Sequence, residues 1–270
     1  MAEPNQSLYL YKVPRVQITH ARMDFVLERC RDKTVLHLGC ADEGLTKERI
    51  NSGTLLHTRL MDIAKDVYGI DRSESALDIL RSSGIGNLFK GDVEEIETIP
   101  LPKTKFDVIV AAELLEHLDN PGKFLDSVKL LFTKDTIMII STPSPFRLSG
   151  LWQALRGYEY VHPDHNFWFS WKTLSSLLKK HGYSIEETAA YSFVDKDLPI
   201  IRRLITKALG KSSHMHSSYS TKINRFNKNK TENIITDRLK TVSKVLSRRL
   251  LYTLNPFFSD GLIFVVKPEQ

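Results

Sequence analysis

The 270-residue chain contains only two cysteines, Cys30 and Cys40. Their spacing makes no metal-ligand pair, and two thiols cannot build a disulfide framework, so a reducing compartment is expected. No apolar run approaches the roughly 20 residues that span a bilayer. The start of the chain, MAEPNQSLYLYKVPR, lacks the apolar core of a secretory signal. A complete G-x-G-x-x-G fingerprint is missing as well, which argues against a dinucleotide-dependent dehydrogenase. There is no internal repeat. The interleaving of aromatic and basic residues that lines nucleic-acid grooves is also missing, which argues against RNA as the partner. What remains is an ordinary globular composition, 41% hydrophobic and 26% charged, with a net charge of +6. The expected location is the cytoplasm.

The charge is unevenly spread. Residues 201–250 hold 13 Lys/Arg against 2 Asp/Glu, whereas residues 1–200 hold 24 against 28. The basic character therefore belongs to one segment. Within it, 198–211 has an apolar stripe (Ile200, Ile201, Leu204, Ile205, Leu209) opposite Arg202, Arg203 and Lys207. Residues 234–254 again show helical spacing, and 212–233 is polar throughout. Three readings suit the segment. They are a helical decoration with a solvated basic face, an arm contacting an anionic membrane surface at the inner face of the membrane, and an RNA-contacting arm, the least favoured of the three.

Elsewhere, strand and helix patterns alternate. Apolar runs at KTVLHLGC, VYGID (67–71), IGNLFKGD (85–92), FDVIVAA (106–112) and TIMIIS (136–141) read as strands. Helical patterns run over 17–30, 59–64, 73–83 and 120–132. A helix from Ser170, a plausible N-cap, to Gly182, a C′ stop, leads to a strand over 183–193, and GLIFVVK (261–267) reads as the last strand. The alternation predicts an α/β fold: a Rossmann-like, doubly wound, mostly parallel seven-stranded sheet. We expect one domain over 1–270, with a core of about 17–195 plus 256–268 and a basic helical insertion over 198–254. Residues 142–169 have no clear period and read as a long functional loop.

In doubly wound sheets ligands sit beyond the carboxyl ends of the strands. Here those ends carry the Gly39–Gly44 turn, Asp71, Asp92, Glu113 and Thr142-Pro143. A glycine turn lets a ligand approach the backbone, and an acid ending the next strand can accept hydrogen bonds from ribose hydroxyls. The motifs VLHLGC, VYGID, KGDVEEI and FDVIVAAELLEHL, in this order and spacing, resemble those of the class I S-adenosylmethionine-dependent methyltransferases. The resemblance covers about 17–195 and the final strand. It implies S-adenosyl-L-methionine as cofactor, with Gly39, Cys40 and Ala41 facing the methionine part. Asp71, with Arg72 beside it, would hold the ribose, Asp92 and Val93 would flank the adenine, and Ala112 would close the site. Ala41 and Glu43 depart from the usual glycine-rich turn.

The stretch AAELLEHLDNP places Glu113, Glu116 and His117 directly after a core strand. On a helical turn, positions i, i+3 and i+4 share a face, so the three could converge on a divalent metal; an ordinary acidic helix start has the same look. A second segment, VHPDHNFWFS, supplies His162, Asp164 and His165. The combination is similar to the methyltransferases of small-RNA 3′-terminal 2′-hydroxyls. That likeness implies a metal such as Mg or Mn bound by Glu113, Glu116, His117 and His165. The catalytic candidates are His165, His162 and Glu116, which serve as general bases if no metal binds. The wording HPDHNFWFSWKTLSSLLKKHGY is more similar to methyltransferases associated with surface-polysaccharide and sugar biosynthesis. The acceptor expected from it is a hydroxyl of a sugar or glycan. Phe167, Trp168 and Phe169 either stack on a sugar or anchor the loop. The rival readings are RNA-end methylation and a non-catalytic docking protein.

Overall fold

The structure, a computed structural model, describes residues 11–192 and 256–269 apart from positions 12, 15, 20, 103 and 104. The basic segment 198–254, with its expected helices and membrane contact, lies outside the described residues. Eight strands form one sheet in the order β1-β7-β8-β6-β5-β2-β3-β4. They are β1 (Gln17–Thr19), β2 (Thr34–Leu38), β3 (Asp66–Asp71), β4 (Leu88–Lys90), β5 (Val108–Ala112), β6 (Ile137–Pro143), β7 (Tyr183–Tyr191) and β8 (Gly261–Pro268). β8 runs antiparallel to both of its neighbours, β6 and β7, and all other pairings are parallel.

The period-2 alternation of the central strands sends side chains into two layers. Leu36, Leu38, Ile109, Ala111, Met138 and Ile140 pack on one face, against α5 (Pro121–Val128) and α7 (Trp171–Lys180). Val35, Val108, Val110 and Ile139 pack on the other, against α1 (Arg22–Cys30) and α3 (Leu56–Met61). Two further helices, α2 (Thr46–Asn51) and α4 (Glu74–Ser82), flank the β3 side. α7 starts as expected: Ser170 and Thr173 form a reciprocal capping box, and Gly182 takes φ +67° just past its end.

Three expectations change. The sheet has eight strands, because the pattern expected as one helix over 17–30 is divided. Val16, Ile18 and Thr19 are β-branched, and 17–19 extends the sheet edge along β7 before α1 begins. The strand expected over 85–92 is only Leu88–Lys90, since Asn87 turns left-handed (φ +53°) just ahead of it. The loop 142–169 contains a short helix, α6 (Leu148–Ala154), none of whose residues is buried. With no buried face it leaves no apolar period to read. Among the described residues no helix is long and apolar enough to cross a membrane.

The switch in strand order lies at β2, which pairs with β3 on one side and β5 on the other. Gly69, inside β3, holds this region close: a Cβ there would lie 2.7 Å from Cys40 Sγ, 2.8 Å from His57 Cε1 and 2.9 Å from Leu88 Cδ2. Gly69→Ala is therefore expected to destabilise the fold by about 1–3 kcal/mol through overpacking. Urea unfolding should show a lowered midpoint with an unchanged slope, and an unaltered midpoint would contradict this packing.

Candidate active site

One cavity of about 510 Å³ opens beyond the carboxyl ends of β2, β3 and β5. Its wall includes Gly39, Cys40, Ala41, Asp71, Arg72, Asp92, Val93 and Ala112, so the structure brings together all eight residues expected at the cofactor. Gly39 adopts φ +67°, and a Cβ on it would sit 3.1 Å from Leu114 Cδ1. The turn is pinned by two bonds to Ile70 O, from Gly39 N (2.9 Å) and Cys40 N (3.1 Å). Asp71 is buried at the end of β3. Its Oδ2 accepts from Ala41 N at 2.9 Å and its Oδ1 from Ser73 N at 3.0 Å, which leaves lone pairs for a ligand. Burial raises its pKa, against the lowering effect of these two backbone bonds. Asp92 Oδ1 accepts from Glu94 N at 2.9 Å and caps the following turn, and Val93 is buried beside it.

At the other end of the same cavity stand Glu113, Glu116, His117, His162 and His165. Glu113, Glu116 and His117 do not share the face of an α-helix. Glu113 is left-handed (φ +53°), and a 3₁₀ turn over Leu115–His117 follows. This sends Glu113 and Glu116 to different partners. Glu113 is held by Tyr191, whose hydroxyl lies 2.9 and 3.0 Å from its two oxygens. Ser141 Oγ donates to it at 2.9 Å, and Arg22 Nη1 is 3.0 Å away. Of the four expected metal ligands, it is the one whose oxygens are already engaged. Tyr191 reaches it because Gly261, its partner on β8, has no side chain to occupy that space.

Glu116 is different. Only 1% of it is exposed, and neither carboxylate oxygen meets a donor in full hydrogen-bond geometry; the Thr142 hydroxyl is close enough to lower its pKa in part, but is itself left without a well-formed bond. Burial, reinforced by the Glu113 charge, drives its pKa well up. His117 Nδ1 lies 3.1 Å from the carbonyl oxygen of Asp164. A carbonyl only accepts, so the proton is on Nδ1 and Nε2 carries a free lone pair. His165 Nδ1 is buried and unpartnered. Burial first, then the charges of His117 and His162, lower the His165 pKa to about 4. One nitrogen each of His117, His162 and His165 lie within 4.8 Å of one another; this group takes in His162 and includes neither Glu113 nor Glu116, so of the four expected metal ligands only His117 and His165 cluster. His162 Nδ1 receives a 3.3 Å bond from Asp164 N.

The segment carrying His162 and His165 is strapped to the turn that carries Glu116. Asn166 N and Phe167 N both donate to Glu116 O, at 2.7 and 3.2 Å, and Asn166 Nδ2 reaches Leu118 O and Asp119 Oδ1, each at 3.2 Å. Asn166 had no signal in the sequence beyond its place after Asp-His. Of the three aromatics, Phe169 is buried in the core and anchors the segment, whereas Phe167 remains 38% exposed. Trp168 Nε1 donates to Glu159 at 3.3 Å.

A second residue that sequence reasoning missed is His37, on β2. Its signal was a lone imidazole within the apolar run VLHL. His37 is part of the cavity wall, and its Nδ1 lies 3.3 Å from Nδ1 of buried His57 on α3. His57 Nε2 is buried without a partner. An orphaned N–H costs more than an orphaned lone pair, so His57 holds its proton on Nδ1 and donates to His37. His37 then carries its own proton on Nε2, as a donor near the Gly39 turn. Burial lowers the His57 pKa from 6.5 to about 4. Below pH 6.5 the unfolded chain takes up a proton that the folded chain refuses, so stability falls as pH drops, by about 3 kcal/mol at pH 4 from this group. His57→Asn keeps a polar atom near the Nδ1 position and removes the titration. Urea unfolding at pH 7 and pH 4.5 should show a smaller acid loss in the variant; equal losses would refute the assignment.

Comparison with known proteins agrees with this geometry. A family described as methyltransferase domain matches residues 10–188. A probable S-adenosylmethionine-dependent methyltransferase of Mycolicibacterium smegmatis is 24% identical over 190 residues, covering 70% of this chain and 63% of the relative. The ubiquinone biosynthesis O-methyltransferase of Actinobacillus pleuropneumoniae (serotype 7) is 27% identical over 150 residues, covering 52% of this chain and 59% of the relative. The chain thus spans about three fifths of these curated relatives. In fold, it is similar to a Haloferax volcanii methyltransferase solved in complex with a methyltransferase activator. The TM-score is 0.52 at 14% identity, covering 92% of this chain and 88% of that one. The strand order, the cavity at the switch point and the family match over 10–188 together place the chain in the class I S-adenosylmethionine-dependent methyltransferase family.

Proposed function

We propose that the chain is an O-methyltransferase that uses S-adenosylmethionine to methylate a hydroxyl of a sugar or glycan, assisted by a divalent metal. The observation that carries this reading is the set of unsatisfied atoms at one end of the cavity. Both oxygens of Glu116, Nδ1 of His165 and the lone pair on His117 Nε2 face no protein partner. Buried polar atoms are rarely left so, and each exception needs a cause. His117 and His165 bring one nitrogen each within 4.8 Å of one another; with Glu116 as the carboxylate ligand they would suit Mg or Mn, with positions left open for substrate oxygens. Bound there, a divalent cation would hold two neighbouring hydroxyls of the acceptor and lower the pKa of the one that attacks. The similarity to ubiquinone biosynthesis O-methyltransferases supports oxygen as the methylated atom.

The roles of the chain's own residues follow from their places. Asp71 accepts the ribose hydroxyls, with Arg72 beside it. The Gly39-Cys40-Ala41 turn lies against the methionine part, Asp92 and Val93 against the adenine, and Ala112 at the junction of the two ends. Glu116, His117 and His165 form the ligand set. Glu113 stays bound to Arg22 and Tyr191 and positions the turn. His162, with its side chain 57% exposed, is the group placed to pass the hydroxyl proton to water. An anionic membrane surface is the contact proposed for the basic segment 198–254.

Two measurements test this reading. Asp71→Ala should weaken S-adenosylmethionine binding by about 1–3 kcal/mol, as for lost charged hydrogen bonds; unchanged affinity by calorimetry in a folded variant would exclude the ribose role. Exhaustive chelation should abolish methyl transfer in an acceptor screen with labelled cofactor and leave cofactor binding intact, with His165→Ala and Glu116→Ala acting alike. The pH profile should fall on the acid side as imidazoles protonate and stop ligating. Full turnover after chelation would remove the metal from the reading.

A further inference from the structure

Arg147 is a cation that this site does not yet explain. It stands just ahead of α6, after the Thr142-Pro143 end of β6, and forms part of the cavity wall together with His117, His162 and His165. Its Nη2 donates to Tyr160 O at 2.6 Å. Its guanidinium carbon lies 4.7 Å from the Tyr160 ring centroid and 5.4 Å from that of Trp168. Three contacts with two residues, Tyr160 and Trp168, thus hold the group in place. Nε is buried and has no hydrogen-bond partner. Among the described residues no carboxylate lies within 4.0 Å of it, whereas Arg22, the other arginine at this end, is paired with Glu113 at 3.0 Å. Arg147 is near enough to His165 for its charge to contribute to lowering the His165 pKa.

A pinned guanidinium with free donors and no counter-charge is built to receive an anion. Its planar fork matches a carboxylate or a phosphate, and little side-chain entropy remains to be lost when one binds. The neighbouring charges point the same way: Glu113 is neutralised by Arg22, and Asp164 is 69% exposed and solvated. We infer that the acceptor carries an anionic group, a carboxylate or a phosphate, which Arg147 binds beside the hydroxyl that is methylated. This rests on the sugar-methylation reading above and narrows it to acidic sugars, either uronates or sugar phosphates.

The test uses the full chain loaded with S-adenosylhomocysteine and calorimetric titration at low salt. The probes are matched gluco and galacto sets: the neutral methyl glycoside, the methyl uronide and the hexose 1-phosphate. One acidic member should bind at least tenfold more tightly than its neutral counterpart, and which one does so separates carboxylate from phosphate. Arg147→Gln should remove that difference and Arg147→Lys should keep part of it, with thermal unfolding confirming that both variants fold. Equal affinities across a set, no detectable binding of any acidic probe, or a preference that survives in Arg147→Gln overturns the inference. So does a weaker affinity of Arg147→Gln for S-adenosylhomocysteine with acceptor preference unchanged, since Arg147 would then serve the cofactor's own carboxylate. Methyl transfer separates the two readings. Equal transfer to neutral and acidic sugars removes the anion site and leaves sugar methylation standing. Arg147-dependent anion binding with no transfer to any sugar hydroxyl does the reverse.

Discussion

Four separate parts of the chain meet at the carboxylate of Glu113. Arg22 arrives from the start of α1, Ser141 from β6 and Tyr191 from the end of β7, while Glu113 itself directly follows β5. A non-glycine residue in the left-handed region costs about 1–2 kcal/mol, and here φ is +53°. The ion pair with Arg22 and the hydrogen bonds from Tyr191 and Ser141 offset that cost, as does the bond from its own N–H to Ser141 O at 2.9 Å. The left-handed residue breaks what would otherwise be a helix start and sets the 3₁₀ turn that follows. That turn directs Glu116 inward and His117 toward the 162–169 segment, so the geometry of this end of the cavity depends on this one knot.

From the turn, the constraint passes to residues 162–169. Glu116 O accepts from both Asn166 N and Phe167 N, and Asp164 O receives His117 Nδ1. The main chain of each segment therefore fixes the side chains of the other. Phe169 is anchored in the core, while Phe146, Trp152, Leu155, Tyr158 and Tyr160 around α6 remain exposed. Burial thus falls off from Phe169 toward α6.

How much of this could be read in the sequence follows from how local each cause is. The buried strands announced themselves because both faces of a central strand are apolar, and their ends located the Gly39 turn, Asp71, Asp92 and Glu113. The Ser170 cap and the Gly182 stop were legible because capping is settled within four residues. The split of 17–30 into β1 and α1 was not, because β1 exists only through pairing with β7 some 170 residues later. Neither was α6, which buries nothing. The spacing of Glu113, Glu116 and His117 pointed to a shared face, and this failed because a distant tyrosine and arginine hold Glu113 in a conformation that spacing cannot foresee. The same holds for His57, which has meaning only beside His37 and above Gly69.

The two ends of the cavity are built from different materials, and this explains why one end was easier to read. The end proposed for the cofactor is made of backbone: N–H groups at Gly39, Cys40, Ala41 and Ser73, fixed by strand ends, with Asp71 as the main side chain. A site of that kind needs glycine at one turn and an acid at one strand end, and it tolerates Ala41 and Glu43 because the close approach is required at Gly39, where φ is positive. The end proposed for the acceptor is made of side chains from the 113–119 turn and from a segment some 50 residues further on, joined only by the folded chain. Side chains can be exchanged there without disturbing the strands beneath, so the fold constrains the acceptor weakly. What constrains it in this chain is the imbalance of its polar groups: an unpartnered carboxylate on Glu116, an unpartnered nitrogen on His165 and an unpaired guanidinium on Arg147. A neutral, featureless acceptor would leave all three unsatisfied. A ligand offering vicinal hydroxyl oxygens to a cation on one side and an anionic group on the other would satisfy them together.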